Sequence, residues 1–266
     1  MTDIDQEDAL EDVPENAPGS QPDRAPAVTG PVWESRVVLA PRSPAALQSI
    51  LGPDMRRQDG QFAHRMLWTL FPDRPAARRE GLFLFHVEGT RPFSAIVRSR
   101  VPPEDGLGGV WTITTRPFEP ALAPGLTLRF RLRAVASRWQ PRPGERRGRR
   151  QDVIVAAWHD LPEEQRTPED LEKAAEHAAL DWLARQGRRG GFAPVEGAVE
   201  VLDYDRASLR AGAGRGGRDR SIRFGAVIYE GLLTVTDPQA FHATLVQGLG
   251  AGRAYGNGLM QIAPAR

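Results

Sequence analysis

Gly248-Leu249-Gly250-Ala251-Gly252-Arg253-Ala254-Tyr255-Gly256-Asn257-Gly258-Leu259-Met260 places five glycines in eleven residues, with one arginine among them and an apolar run behind. Glycine admits positive φ and close approach of a second backbone, and such a loop exposes N–H groups that face phosphate oxygens. A dinucleotide fingerprint, however, opens a βαβ unit of about 30 residues. Only eight residues follow Gly258, so a doubly wound nucleotide fold has no room. The lysine and hydroxyl residue of a Walker loop are also missing. A loop that packs on, or touches, a nucleic-acid backbone remains open.

Working outward, strands and helices fall into two similar rounds. Trp33 to Ala40 alternates and is rich in β-branched residues, which predicts a first strand. A helix follows from about Gly60 to Phe71, with Asp59 as cap and Pro72 as stop. Gly81–Val87 and Phe93–Arg98 read as paired strands. In Leu126–Ala134, Leu128, Phe130 and Leu132 take one face while Arg129, Arg131 and Arg133 take the other. The arginine-rich run 141–150 reads as a link. Thr167, Pro168 and Asp170 then form a capping box for a helix whose buried stripe is Leu171, Ala175, Ala178 and Trp182, ending at Gly187. Strands at Val195–Leu202 and Phe224–Val235, a helix opened by Asp237-Pro238 and closed by Gly248, and a short strand at Leu259–Ala263 complete the chain. The count suits an α+β fold of two tandem βαββαβ units, ferredoxin-like or RRM-like, over residues 31–135 and 136–266. Sheets of that kind serve as RNA platforms.

Composition narrows the function class. The 266 residues hold no cysteine, so disulfides and cysteine-ligated metals are out. No run reaches the roughly 18 apolar residues of a membrane span, and the N-terminus lacks a basic-then-apolar signal; the expectation is a cytoplasmic protein without a membrane partner. The net charge of +1 hides an asymmetry. Residues 1–30 carry eight acidic side chains and one arginine, which leaves the rest at about +8. That extension, rich in Pro, Gly and Ser, reads as disordered. It is either a solubilising tail or a decoy that competes with nucleic acid for the basic surface. Lys173 is the only lysine; every other basic residue is an arginine, whose flat fork grips phosphate and stacks on bases.

Two constellations bear chemistry. His64 falls at the edge of the apolar stripe Phe62, Met66, Leu67 and Leu70, flanked by Gln61 and Trp68 at i−3 and i+4. A histidine there reaches solvent, and its ordinary pKa near 6.5 suits proton transfer. His86, mid-strand, reads as structural; His159, His177 and His242 lack a partner pattern. No His-x-x-x-His, carboxylate cluster or Gly-x-Ser-x-Gly elbow occurs, so no metal, small-molecule cofactor or serine nucleophile is expected. The second constellation is basic: the Arg129, Arg131, Arg133 face, the link ending in Arg149 and Arg150, and the glycine–arginine segment with Arg210, Arg215, Arg218, Arg220 and Arg223. Three such segments point to nucleic acid. The last, between two strands, reads as a hairpin tip able to follow an RNA backbone.

Four segments together resemble the CRISPR repeat-RNA endoribonucleases of the CasE type, from type I-E systems. They are Phe62–Pro72 with its His64-x-x-Leu67-Trp68-x-Leu70-Phe71-Pro72 run, Phe83–Glu88, Leu128–Ala134, and the glycine-rich loop with Gly248, Gly250, Gly252, Gly256 and Gly258 around Arg253. Tyr229-Glu230-Gly231 also fits. The resemblance spans roughly residues 31–266 and implies two ferredoxin-like domains behind the acidic extension. It implies metal-independent cleavage of a repeat stem-loop in precursor CRISPR RNA by the 2′-hydroxyl, leaving a cyclic phosphate and a 5′-hydroxyl. It also implies that the protein stays on the guide RNA among the other subunits of the Cascade complex, in antiviral defence. His64 matches the family's catalytic histidine, Arg149 and Arg150 a basic pair of its central loop, and 210–223 the hairpin that enters the stem's major groove. Arg65 is a further candidate for charge near the phosphate. The family's tyrosine three residues before the histidine is Gln61 here, and an amide transfers no proton near neutral pH. Tyr255 is the candidate substitute. The departure keeps an alternative open: a catalytically weak or inactive RNA-binding subunit of the same complex.

Overall fold

The computed structural model describes residues 30–40, 60–72, 81–140, 149–210 and 221–265. The expected cap Asp59, the acidic extension and the tip with Arg215, Arg218 and Arg220 lie outside them.

Two four-stranded antiparallel sheets organise the chain. The first is built from β1 (Trp33–Leu39), β2 (Phe83–Thr90), β3 (Phe93–Ser99) and β4 (Trp111–Pro117), in the order β2-β3-β1-β4. β3 is buried at almost every position, as a central strand must be. Helix α1 (Gly60–Trp68) lays Ala63, Met66 and Leu67 on one face of this sheet, against Val37, Phe85, Ala95 and Val97. α1 stops at Trp68, short of the expected Phe71. The next three N–H groups bond three residues back, to Met66, Leu67 and Trp68, and the Thr69 hydroxyl donates to the Met66 carbonyl. That tightening is how a helix end satisfies its last carbonyls.

The second sheet joins β5 (Thr127–Ala134), β8 (Phe192–Arg210), β9 (Ser221–Val235) and β10 (Met260–Pro264), in the order β10-β5-β9-β8. Leu128, Phe130 and Leu132 of β5 face a core shared with helices α3 (Pro168–Gly190) and α4 (Pro238–Gln247), while Arg129 and Arg131 are exposed on the other face. Trp182, Tyr229, Phe192 and Phe241 fill that core. Full burial of one large apolar side chain is worth roughly 1.5–3 kcal/mol. Thr167 caps α3 by accepting from the Asp170 N–H at 3.2 Å, as expected. The helix runs past Gly187 to Gly190 before Gly191 turns left-handed, so its buried stripe shifts to Ala179, Trp182 and Leu183; Leu171, Ala175 and Ala178 are only half-buried.

Between β5 and β8 lie three elements not anticipated: β6 (Ser137–Gln140), β7 (Arg149–Asp152) and α2 (Val153–Asp160). The expected link therefore ends in a strand. Gln140 pairs with Arg149 and Trp139 with Arg150.

Arg98 ties the two sheets together. It leaves β3 on the face away from α1, is 2 % exposed, and donates through Nη1 to the carbonyls of Leu245 (2.8 Å) and Met260 (3.1 Å). Its Nη2 meets Glu34 at 2.6 Å, and its guanidinium lies 3.8 Å over the Phe118 ring. Burial disfavours a charged Glu34, but hydrogen bonds from Arg116 and Arg98 hold its carboxyl below the usual range.

Candidate functional site

His64 sits one position past buried Ala63 and two before buried Met66, so its ring leans over the edge of the core and is half-buried. Three aromatic rings hold it. Phe85 stacks at 6.2 Å between centroids and 14°, Phe83 lies tilted at 5.7 Å, and Trp68 meets it edge-on at 5.8 Å. The Trp68 Nε1–H donates to His64 Nε2 at 3.1 Å. An Nε2 that accepts is unprotonated, so the ring is neutral with its proton on Nδ1. Burial pushes the imidazole pKa below its ordinary value as well. A neutral, rigidly held imidazole is equipped to take up a proton.

The glycine-rich loop returns from the second sheet to this helix. Its 3₁₀ turn, Arg253–Tyr255, packs against α1 and β2, with left-handed Gly252 and Gly256 on either side. Two glycines show why no other residue serves. A Cβ on Gly256 (φ +77°) would lie 3.0 Å from the Phe85 ring that stacks on His64. A Cβ on Gly258 (φ +89°) would strike the Leu249 carbonyl at 2.7 Å. The loop is clamped to the end of β5. The Gly258 N–H donates to the Arg133 carbonyl at 2.7 Å, and the Leu249 N–H to Gly258 at 3.0 Å. Asn257, fully buried, accepts from Arg133 Nη1 and donates from Nδ2 to the Gly252 carbonyl at 3.1 Å. The amides of Tyr255 and Gly256 close on Gly252 and Arg253. These amides bond protein carbonyls, and the loop brings the turn that it carries against α1 and β2.

Arg253 reaches solvent from that turn, while the protein crowded around its guanidinium, and then the neighbouring Arg150, push its pKa down. Two cations thus stand close together beside the histidine helix, an arrangement that an anion would relieve. Arg150, also exposed, is positioned by Asp152 two residues on. The Asp152 carboxylate accepts the Ile154 and Val155 N–H groups (2.9 and 3.2 Å), which starts α2. Its other oxygen accepts the Tyr204 hydroxyl (2.9 Å) and the Gly225 N–H (3.1 Å). One side chain therefore joins the strand of Arg150 to the base of the β8–β9 hairpin. That hairpin stays paired out to Arg210 and Ser221, with Ser208 opposite Arg223.

The structure packs the turn of Arg253 and Tyr255 against the helix of His64, with Arg150 in electrostatic reach of Arg253. Arg65 lies exposed on the helix of His64; Gln61 belongs to the same helix and Arg149 to the strand of Arg150. His86 faces the opposite side of β2 from Phe85, where burial and then Arg131 and Arg133 lower its pKa. It stands apart from His64. His159 and His177 are exposed elsewhere, and His242 stacks on Phe118. Among the described residues, no three His, Asp or Glu side chains converge to hold a metal ion, and no helix is long and apolar enough to cross a membrane. Sequence reasoning missed Asn257, Asp152, Phe85 and Trp139. Of these only Asp152 carried a signal, as a cap residue before an apolar run.

A family model described as CRISPR associated protein matches residues 32–264. The chain belongs to this CRISPR-associated family. It is 30% identical over 251 residues to the CRISPR-associated endoribonuclease Cse3 of Thermus thermophilus, covering 88% of this chain and 100% of that protein. It is 30% identical over 205 residues to the Cascade subunit CasE of Escherichia coli, covering 76% and 90%. Its fold is similar to that of Thermus thermophilus Cse3 bound to an RNA representing a pre-cleavage complex, with a TM-score of 0.60, 29% identity, and 88% and 100% coverage.

Proposed function

We propose that this protein is a metal-independent endoribonuclease of the CasE type that cuts repeat stem-loops in precursor CRISPR RNA. After cutting, it remains on the guide RNA with the other Cascade subunits. Two ferredoxin-like domains are part of this reading: each sheet has the first and third strands of its unit side by side at the centre, and because β5 (Thr127–Ala134) pairs with β9 and β10 the second unit begins with β5, ahead of the expected division at 135/136. The observation that carries the reading is the neutral His64 ring beside the turn of Arg253 and Tyr255, with Arg150 next to Arg253.

In the reaction, His64 Nε2 exchanges the Trp68 indole N–H for the ribose 2′-hydroxyl and takes its proton as O2′ bonds to phosphorus. The P–O5′ bond breaks, and the departing O5′ takes up a proton, with Tyr255 as the candidate donor in place of the tyrosine that Gln61 replaces. A 2′,3′-cyclic phosphate and a 5′-hydroxyl result. Arg253 and Arg150 balance the charge that builds on the phosphorane oxygens. The hairpin with Arg210 and Arg223, and the tip with Arg215, Arg218 and Arg220, hold the stem so that O2′ lies in line with the scissile bond. The test is cleavage of a labelled repeat stem-loop in EDTA. Wild type cuts once, beside the stem base, and a 2′-deoxy at the upstream nucleotide blocks the cut. His64→Ala slows the single-turnover rate by about 10²–10⁴-fold while stem-loop binding holds. Equal loss of binding and rate would make His64 a structural residue.

A further inference from the structure

Trp139 is the most exposed large apolar side chain among the described residues, at 51 %. The other five tryptophans are buried or half-buried. Exposing an indole forfeits the burial that such a ring normally gains, and neither hydrophobic core includes this one. Its backbone is nevertheless firmly held. β6 pairs with β7 residue by residue from Ser137↔Asp152 to Gln140↔Arg149. The buried Trp182 indole donates to the Ser137 carbonyl at 3.1 Å. Arg138, on the other side of the strand, bonds Gln151 at 3.3 Å and Asp160 at 3.5 Å. Asp152 locks the far end of β7 as described above.

Trp139 is paired across the ladder with Arg150. Side chains of directly opposed residues project from the same face of a strand pair. The indole and the Arg150 guanidinium therefore share one surface, and Arg150 leads on to Arg253 and the His64 helix. An exposed aromatic plane thus stands beside one guanidinium group, which lies in electrostatic reach of a second on the turn packed against the His64 helix. A flat apolar ring beside cations matches a nucleotide whose base is unstacked and whose phosphate faces arginine. Bases inside a duplex are already stacked on each other, so the matching nucleotide is an unpaired one next to the stem.

Resting on the endoribonuclease reading above, we propose that Trp139 stacks on an unpaired base of the repeat RNA adjoining the scissile phosphate and so sets the position of that phosphate against Arg150 and Arg253. One aromatic–base stack supports roughly a 5- to 150-fold effect on affinity. The experiment compares wild type, Trp139→Ala and Trp139→Phe on a repeat stem-loop with its unpaired flanks, and on the same RNA carrying one abasic site at each flanking position in turn. Dissociation constants and single-turnover rates are measured, with thermal melts to verify the fold. Trp139→Ala is expected to lose binding or rate within that range, and Trp139→Phe to retain most of it. One abasic position is expected to cost wild type the same factor and to cost Trp139→Ala nothing further. Unchanged binding and cleavage by Trp139→Ala, as a protein-docking role for the indole would give, overturns the proposal. So does a loss that adds fully to every abasic loss. Wild type that neither binds nor cuts the intact stem-loop overturns the functional reading itself and this proposal with it.

Discussion

Asn257→Ala tests whether the glycine-rich loop is held by its one amide side chain. The substitution removes two hydrogen bonds from a fully buried position. The bond from the Arg133 guanidinium is charge-assisted and worth about 1.5–3 kcal/mol; the bond to the Gly252 carbonyl is neutral and worth about 0.5–1.5 kcal/mol. Gly252 keeps the Tyr255 N–H at 2.9 Å and is not orphaned, so no further penalty accrues there. The expected destabilisation is about 2–4 kcal/mol, read from urea unfolding with the linear extrapolation. Because the same amide anchors the turn of Arg253 and Tyr255, single-turnover cleavage under conditions where the variant is still folded falls more than RNA binding does. Asn257→Asp separates the two bonds: it keeps an acceptor for Arg133 and turns an oxygen toward the Gly252 carbonyl. It should recover stability ahead of rate. An Asn257→Ala protein within about 0.5 kcal/mol of wild type, the range of an ordinary surface substitution, and with an unchanged rate would refute the clamp.

Two further outcomes follow from the charges. Burial lowers the pKa of His64, His86 and His242 alike, so the unfolded chain takes up protons first as pH falls below about 6.5. Their contribution to stability is therefore complete above that pH and declines as pH drops through the folded pKa values. For the same reason kcat/KM, which reports the free enzyme, should rise along a limb centred below 6.5 and then level; a rising limb centred above 6.5 would contradict a buried neutral base at His64. Neutralising Arg215, Arg218 and Arg220 together should weaken stem-loop binding and flatten its log–log salt dependence by up to about 3, one for each lost phosphate contact. An unchanged slope measured by titration at several salt concentrations would remove these residues from the interface.

What the sequence made legible was whatever is written in local periodicity or end chemistry. Leu128, Phe130 and Leu132 alternate with arginines because β5 has one wet face. Thr167, Pro168 and Asp170 announce α3 through the needs of its first N–H groups. β7 was illegible because Arg149-Arg150-Gln151-Asp152 carries no apolar pattern; it is a strand because β6 lies beside it. α2 was illegible for the opposite reason. Val153-Ile154-Val155 are β-branched, and the Asp152 cap and burial of Ile154 and Ala156 override their propensity. His64 was legible as a residue on a stripe edge, but its tautomer was not, since that depends on where the Trp68 indole points. Asn257 reads in sequence as one more turn residue among glycines, and only the long-range contact with Arg133 gives it a task.

The glycines themselves bear on how the site is assembled. The amides of Leu249, Tyr255, Gly256 and Gly258 bond protein carbonyls and close the loop on itself and on β5. The loop therefore acts through where it sits. Gly256 lets the backbone close on Phe85, Phe85 stacks on His64, and the turn just before Gly256 presents Arg253. The proposed proton acceptor comes from the first sheet's helix and the proposed cations from the loop and strand that follow β5, so neither half carries the set alone. Arg98 holds the same two halves from the opposite face of the first sheet by bonding Leu245 and Met260, which bracket the loop at its two ends. A substitution at Arg98, remote from His64, thus acts on the same geometry as one within the loop. Both act on the distance between the neutral His64 imidazole and the guanidinium groups proposed to work beside it.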